Sequence, residues 1–224
     1  MSERERIFAD IRRALGVSGA QEPRRRAFEA RLSNPPERVI PARGHVADLA
    51  GLFRAEAERI FATVEEVATA LDIPARVADF LRAKNLAPRL RKGADPYLAA
   101  LPWQATTLTL DEGRADGADQ VGLSRAFAGI AETGTLALVS GPDNPVTINF
   151  LPGTHIVVVE ADKIVGDYET FWQRLRAAYG EGQMPRTVNF ITGPSRSADI
   201  EQTLLLGAHG PRALHILIVR TATP

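Results

Sequence analysis

Leu214-His215-Ile216-Leu217-Ile218-Val219 (LHILIV) and Ile156-Val157-Val158-Val159 (IVVV) are unbroken apolar runs rich in β-branched residues. Thr135–Val139 (TLALV) and Val188–Ile191 (VNFI) are of the same kind. Strands without polar alternation are covered on both faces, as in a mainly parallel sheet with helices on each side. Between these runs, Tyr168, Phe171, Trp172, Leu175 and Tyr179 keep helical spacing, and Asp167 stands where a cap belongs. Shorter strands are expected at Leu86–Leu90, Thr106–Leu110 and Val121–Leu123. The fold class that follows is α/β, a three-layer αβα sandwich built on a mainly parallel sheet, with a helical N-terminal region beside it.

Toward the N-terminus, Ser2-x-x-Glu5 reads as a capping box opening a first helix with Ile7, Phe8, Ile11 and Leu15 on one stripe and Gly16 as its stop. Residues 17–44 hold Gly19, Pro23, Arg24-Arg25-Arg26, Pro35, Pro36 and Pro41, and read as a linker. The chain is therefore expected to divide into a helix and linker arm, 1–44, and an α/β domain, 45–221. Val46, Leu49, Phe53 and Ile60 mark a helix at the start of that domain. Thr63-x-x-Glu66 reads as a second capping box, with Val64, Val67 and Leu71 facing inward from a helix, and Pro74 opens another helix carrying Val77, Phe80 and Leu81.

Composition excludes several functions. The 27 basic residues balance 27 acidic ones, which argues against a nucleic-acid partner. There is no cysteine, so no disulfide, catalytic thiol or cysteine-held cluster resides in this chain. No HxxH or HExxH spacing supports a self-contained metal site, and no dinucleotide or Walker A loop is present. The charged N-terminus is unlike a signal peptide and no run approaches a membrane span, so a cytoplasmic protein is expected.

Three loops carry residue sets suited to chemistry. Glu132-Thr133-Gly134-Thr135 is either a hairpin turn with Glu132 on the surface, or an anion-binding concavity with Glu132 as a general base. Gly193-Pro194-Ser195-Arg196-Ser197-Ala198-Asp199 is either a capped helix start or an anion clamp, with Arg196 gripping a carboxylate and Asp199 orienting it. His209-Gly210-Pro211 offers a proton-transfer group or a structural histidine. Each is expected at or near the carboxyl end of a strand, where open α/β sheets bind ligands. Asp116-Gly117-Ala118-Asp119 reads as a polar turn.

Taken in order, IAETGTLALVSG, FLPGTHIVVVEADKIV and FITGPSRSADIEQTLLLGAHGPRALHILIV resemble the LUD domain of the lactate utilization protein C family. The resemblance covers about residues 45–220 and is strongest over 121–219; Ser197 stands where the family often has threonine. It implies a fold similar to the glucosamine-phosphate deaminase, ribose-phosphate isomerase and CoA-transferase group. It also implies a part in oxidising L-lactate to pyruvate alongside iron–sulfur partner proteins. This chain would then bind no cofactor by itself, bind lactate as a small carboxylate, and be inactive alone; its oligomeric state stays open. Two alternatives remain: a stand-alone sugar-phosphate isomerase or CoA-transferase-like enzyme, and a non-catalytic assembly or regulatory module.

Overall fold

The structure, a computed structural model, describes residues 2–18, 20–33, 40–180, 182–198, 204–207 and 209–221. The chain forms two compact units, residues 1–40 and 41–224. In the first, α1 (Glu3–Ala14) opens as its sequence dictates: Ser2 Oγ accepts from Glu5 N at 3.2 Å and Glu5 Oε2 accepts from Ser2 N at 2.6 Å. A second helix, α2 (Glu22–Ser33), occupies much of the stretch expected to be linker. Glu22 and Glu29 lie three or four residues from Arg25 and Arg26, and such pairs support a helix that buries no side chain. The triple arginine therefore lies on a helix that is exposed all round.

The second unit runs α3 (Leu49–Arg59), β1 (Thr63–Thr69), α4 (Ile73–Ala83), β2 (Arg89–Lys92), α5 (Pro96–Ala99), β3 (Thr109–Glu112) and β4 (Val121–Arg125). It continues with β5 (Ala128–Ile130), β6 (Thr135–Val139), α6 (Val146–Phe150), β7 (Thr154–Glu160), β8 (Ile164–Val165) and α7 (Tyr168–Tyr179). β9 (Val188–Ile191), β10 (Arg196–Ala198), β11 (Leu204–Leu206) and β12 (Ala213–Thr221) complete it. Six strands form one sheet in the order β1-β12-β7-β4-β2-β3, every neighbour parallel.

Side-chain alternation divides its core in two. Ile156, Val158, Leu217 and Val219 meet Val77 and Leu81 of α4 together with Leu98 and Trp103. Val157, Val159, Ile216 and Ile218 meet Ala50, Phe53 and Ala57 of α3. This is the αβα sandwich that the apolar runs require. One feature was not foreseen: TLALV and VNFI leave the main sheet and form a second one, β8-β5-β6-β9, in which β6 is antiparallel to both its neighbours. This sheet presents Leu136 and Leu138 to the α3 side and Ala137 to Phe171 and Leu175 of α7.

Thr63–Thr69 is a strand, not a capped helix. Its backbone pairs with β12 from Thr63↔His215 to Thr69↔Thr221, and this long-range ladder overrides the local pattern. A reciprocal cap does form six residues later, between Thr69 and Asp72, ahead of α4. The strands expected at 86–90 and 106–110 lie two or three residues further on, as β2 and β3. Asp116–Asp119 is the expected turn, held by Asp119 Oδ2 accepting from Asp116 N at 2.9 Å.

Two histidines are sealed in this core. His155 accepts or donates one bond, from Nε2 to Ser124 Oγ at 3.0 Å, and burial pushes its pKa down to about 3. His215 stacks on Phe80 of α4 at 4.0 Å, and burial, aided by Lys84 and opposed by Thr63, holds it at about 4. Both folded values lie below the ordinary one, so the unfolded chain binds more protons in acid. Their contribution is intact above about pH 6.5 and is lost as pH falls toward these folded values. The protein is expected to be roughly 3–4 kcal/mol less stable at about pH 5 than at about pH 7. Urea unfolding at both pH values, with a His155→Gln/His215→Gln variant for comparison, measures it; an equally steep loss in the variant would assign the effect elsewhere.

Candidate functional site

The three loops are joined into one continuous scaffold. Glu132 to Gly134 form the hairpin between β5 and β6, but Glu132 is buried rather than on the surface. Its Oε1 accepts from the Tyr168 backbone N–H at 3.3 Å, next to Asp167, which caps Thr170 N at 2.7 Å. Glu132 thus places a carboxylate against the positive end of α7, a helix-capping task. Thr135 Oγ1 shares hydrogen bonds with Thr133 (2.7 Å), Tyr168 Oη (3.1 Å) and Thr192 (2.8 Å), tying the hairpin to the residue before Gly193.

Gly134 and Gly193 have φ of +66° and +84°. Both press on the C-terminal end of α3: a Cβ at 134 would overlap the backbone of Glu56 and Ala57, and one at 193 would lie 2.6 Å from the Ile60 carbonyl oxygen. Arg196 lays its guanidinium over the Phe61 ring just beyond, 3.3 Å from the centroid. The motif residues 132–135 and 193–196 therefore lock α3, α7 and the second sheet together. Asp199 lies outside the described residues.

The His209 loop is bound to the same scaffold. Ser195 N donates to Pro211 O (2.8 Å), Gly207 N to Ser195 O (3.1 Å) and His209 N to Ser195 Oγ (3.3 Å). These residues precede β12, so they lie at the amino edge of the main sheet, not the carboxyl edge. They border an open cleft of about 800 Å³ with Gly153, Thr154, His209, Gly210 and Arg212 in its wall. Among the described residues its one carboxylate is Asp119, engaged by Arg91 Nε at 3.0 Å. Arg212 has no ion-pair partner among the described residues. The charge that the described residues give this cleft is therefore cationic. The sequence reading passed over Arg212, although it follows His209-Gly210-Pro211 directly.

At the opposite edge is a cluster that sequence spacing could not reveal. Arg125 ends β4 and Glu160 ends β7; Asp95 caps α5 just past β2. Arg125 Nε donates to Asp95 Oδ2 at 2.9 Å and its Nη1 to Glu160 Oε2 at 3.3 Å, while its guanidinium covers the Tyr97 ring at 4.8 Å. Burial works against the Arg125 charge, but the Asp95 hydrogen bond and both carboxylates outweigh it and hold the pKa above its usual range. Burial, aided by Glu160, pushes the Tyr97 hydroxyl up to about 12, so it stays protonated. These groups back a second cleft of about 590 Å³ that extends to Arg174 and Tyr179 of α7. Among the described residues, no group of histidines and carboxylates is arranged to hold a metal, and no helix is long and apolar enough to cross a membrane.

Comparison with known proteins gives a consistent answer. Residues 52–219 match the family model of the LUD domain. The chain is 30% identical to a lactate utilization protein C of Geobacillus kaustophilus over 233 residues, covering 96% of this chain and 93% of that one. It is 36% identical over 99 residues to a lactate utilization protein C of Shouchella clausii and 41% identical over 98 residues to an uncharacterized protein of Neisseria meningitidis. In these two the chain spans 43% and 41% of the relative's length. A crystal structure of a DUF162 family protein from Deinococcus radiodurans shares the fold, with a TM-score of 0.56 over 78% of this chain and 98% of that one at 23% identity.

Proposed function

This chain belongs to the LUD-domain family, and from that membership we propose that it is a component of a lactate-utilization system, taking part in oxidation of L-lactate to pyruvate with iron–sulfur partner proteins. The balance of that reaction is the loss of one C–H and one O–H bond, two protons and two electrons. With no cysteine, this chain has no thiolate with which to ligate a cluster, so the electrons pass to metal centres on partners. What remains for this chain is to bind and orient the hydroxy acid.

The observation that carries this assignment is the charge of the amino-edge cleft. Arg212, without an ion-pair partner among the described residues, stands beside His209, where two family motifs meet, and its guanidinium can take a carboxylate by two parallel hydrogen bonds. His209 and Gly210 line the same space. Glu132, Thr133, Gly134, Thr135, Gly193 and Pro194 act behind it, as its frame. Arg196, spent on Phe61, gives way to Arg212 as the gripping residue.

The test is lactate-dependent reduction of an artificial acceptor by this chain, by the iron–sulfur partners, and by all together. Turnover is expected only from the complete set. Arg212→Gln is expected to lower kcat/KM for lactate at least about tenfold. Full turnover by the partners without this chain, or an Arg212→Gln variant with unchanged kinetics, would overturn the proposal.

A further inference from the structure

Phe150 and Leu151, at the end of α6, line the amino-edge cleft together with Arg212 but differ from it in character. The helix buries Ile148 and Asn149, and the next two side chains are left 41% and 50% exposed. Their backbone is held, since Leu151 N donates to Thr147 O at 3.0 Å, so this is not the exposure of a frayed end. One exposed apolar side chain is ordinary; two neighbours in the wall of a cleft mark a surface that something covers. Leu86 and Pro152 continue that wall.

Arg212 and Phe150 lie against the two ends of one short loop. A Cβ on Gly207 would be 2.3 Å from Arg212 Cγ and 3.1 Å from its Nε, so the arginine stem rests directly on the Gly207 backbone. At Gly210 the corresponding position is 3.8 Å from Phe150 Cδ1. Three steps of chain separate the two glycines, so their Cα atoms are no more than about 11 Å apart. A cation and an aromatic ring thus border one space at short range. Lactate spans roughly 4 Å, so with its carboxylate on Arg212 its methyl group covers little of an apolar wall on that scale. The cleft, at about 800 Å³, has room for a larger molecule.

On the reading of Arg212 as the carboxylate grip, we infer that this cleft holds 2-hydroxy acids bulkier than lactate, those with a branched alkyl or aromatic side chain, more tightly than lactate itself. With the carboxylate fixed, the side chain extends toward Phe150 and Leu151. Apolar surface of both ligand and protein then leaves water, a gain that lactate's methyl group largely forgoes. The polar end is common to all such acids, so the apolar wall sets their order of preference.

Calorimetric titration of the full chain with L-lactate and L-3-phenyllactate tests this and needs neither partner proteins nor turnover. Phenyllactate is expected to bind at least about tenfold more tightly than lactate. Phe150→Ser combined with Leu151→Ser is expected to shrink that ratio to about threefold or less. Leu151→Ser alone, at the more exposed position, is expected to lower it in the same direction; thermal melts report that each variant is folded. Arg212→Gln is expected to weaken both acids alike, by at least about tenfold. Phenyllactate no tighter than lactate, or an undiminished ratio in the folded serine variants, would refute the apolar subsite while leaving Arg212 in its role. Indifference of both acids to Arg212→Gln, or no binding of either, would instead remove the carboxylate grip and the apolar subsite with it.

Discussion

Arg125→Met is expected to destabilise the protein by about 3–5 kcal/mol, a large share of the total for a domain of this size. Methionine keeps much of the stem volume but removes the cation to which both Asp95 and Glu160 are bonded. Their side chains are 8% and 7% exposed, so water does little to screen them. The cost is that of two stranded charges rather than the worth of the bond, and this predicts how it can be relieved. Acid shrinks the defect, because protonation removes the unpaired charge. Arg125→Met combined with Asp95→Asn and Glu160→Gln should recover most of the loss, since neutral groups need no counter-charge. Denaturant titration of the single and triple variants decides it; a triple variant no better than the single would show that packing on Tyr97, not charge, is what Arg125 supplies.

Gly134→Ala is expected to cost about 2–5 kcal/mol, combining a left-handed backbone with a Cβ driven into a neighbour. The neighbours in question are backbone atoms of Glu56 and Ala57 inside α3, which cannot rotate away as a side-chain tip would. Gly141→Ala is the matched control: nothing but a backbone nitrogen at 3.9 Å lies near its Cβ position, and little change is expected there. The measurement also separates two roles for the Thr133-Gly134-Thr135 turn. A backbone donor to a ligand would show as lost binding at normal stability. A close contact with α3 shows as lost stability, and a Gly134→Ala variant within about 1 kcal/mol of the parent would remove the contact from the account.

Legibility from sequence followed burial. Residues 156–159 and 214–219 declared themselves because both of their faces are covered, so every position is apolar. β1 escaped because it is an edge strand whose Glu65 and Glu66 are satisfied by arginines: Arg76 on one face, Arg54 and Arg220 on the other. Alternating partners from α4 and α3 make a charged strand stable, and nothing in TVEEVAT announces them. The second sheet was hidden for a different reason. An apolar run reveals that a strand is covered, but not which strand it pairs with.

The loops singled out by residue type proved to be joined, since Ser195 and Thr192 link all three. Their chemistry was harder to read than their importance. Glu132 looks like a base until the helix start it caps is seen. Arg125 and Glu160 are 35 residues apart, and only the β4–β7 register brings the ends of their strands side by side.

The order of the main sheet also dictates when it can form. β12, the last strand made, lies between β1 and β7, and Thr63 meets His215 across 152 residues of chain. At about 5–20 residues per second, a ribosome needs roughly 10–30 s to make that intervening stretch. Throughout that interval β1 has no neighbour, and the apolar sides of β7 stay open along one edge. The nascent protein is thus obliged to wait for its own C-terminus. A stall or premature stop before residue 213 would release a chain whose central strands lack the one that joins them.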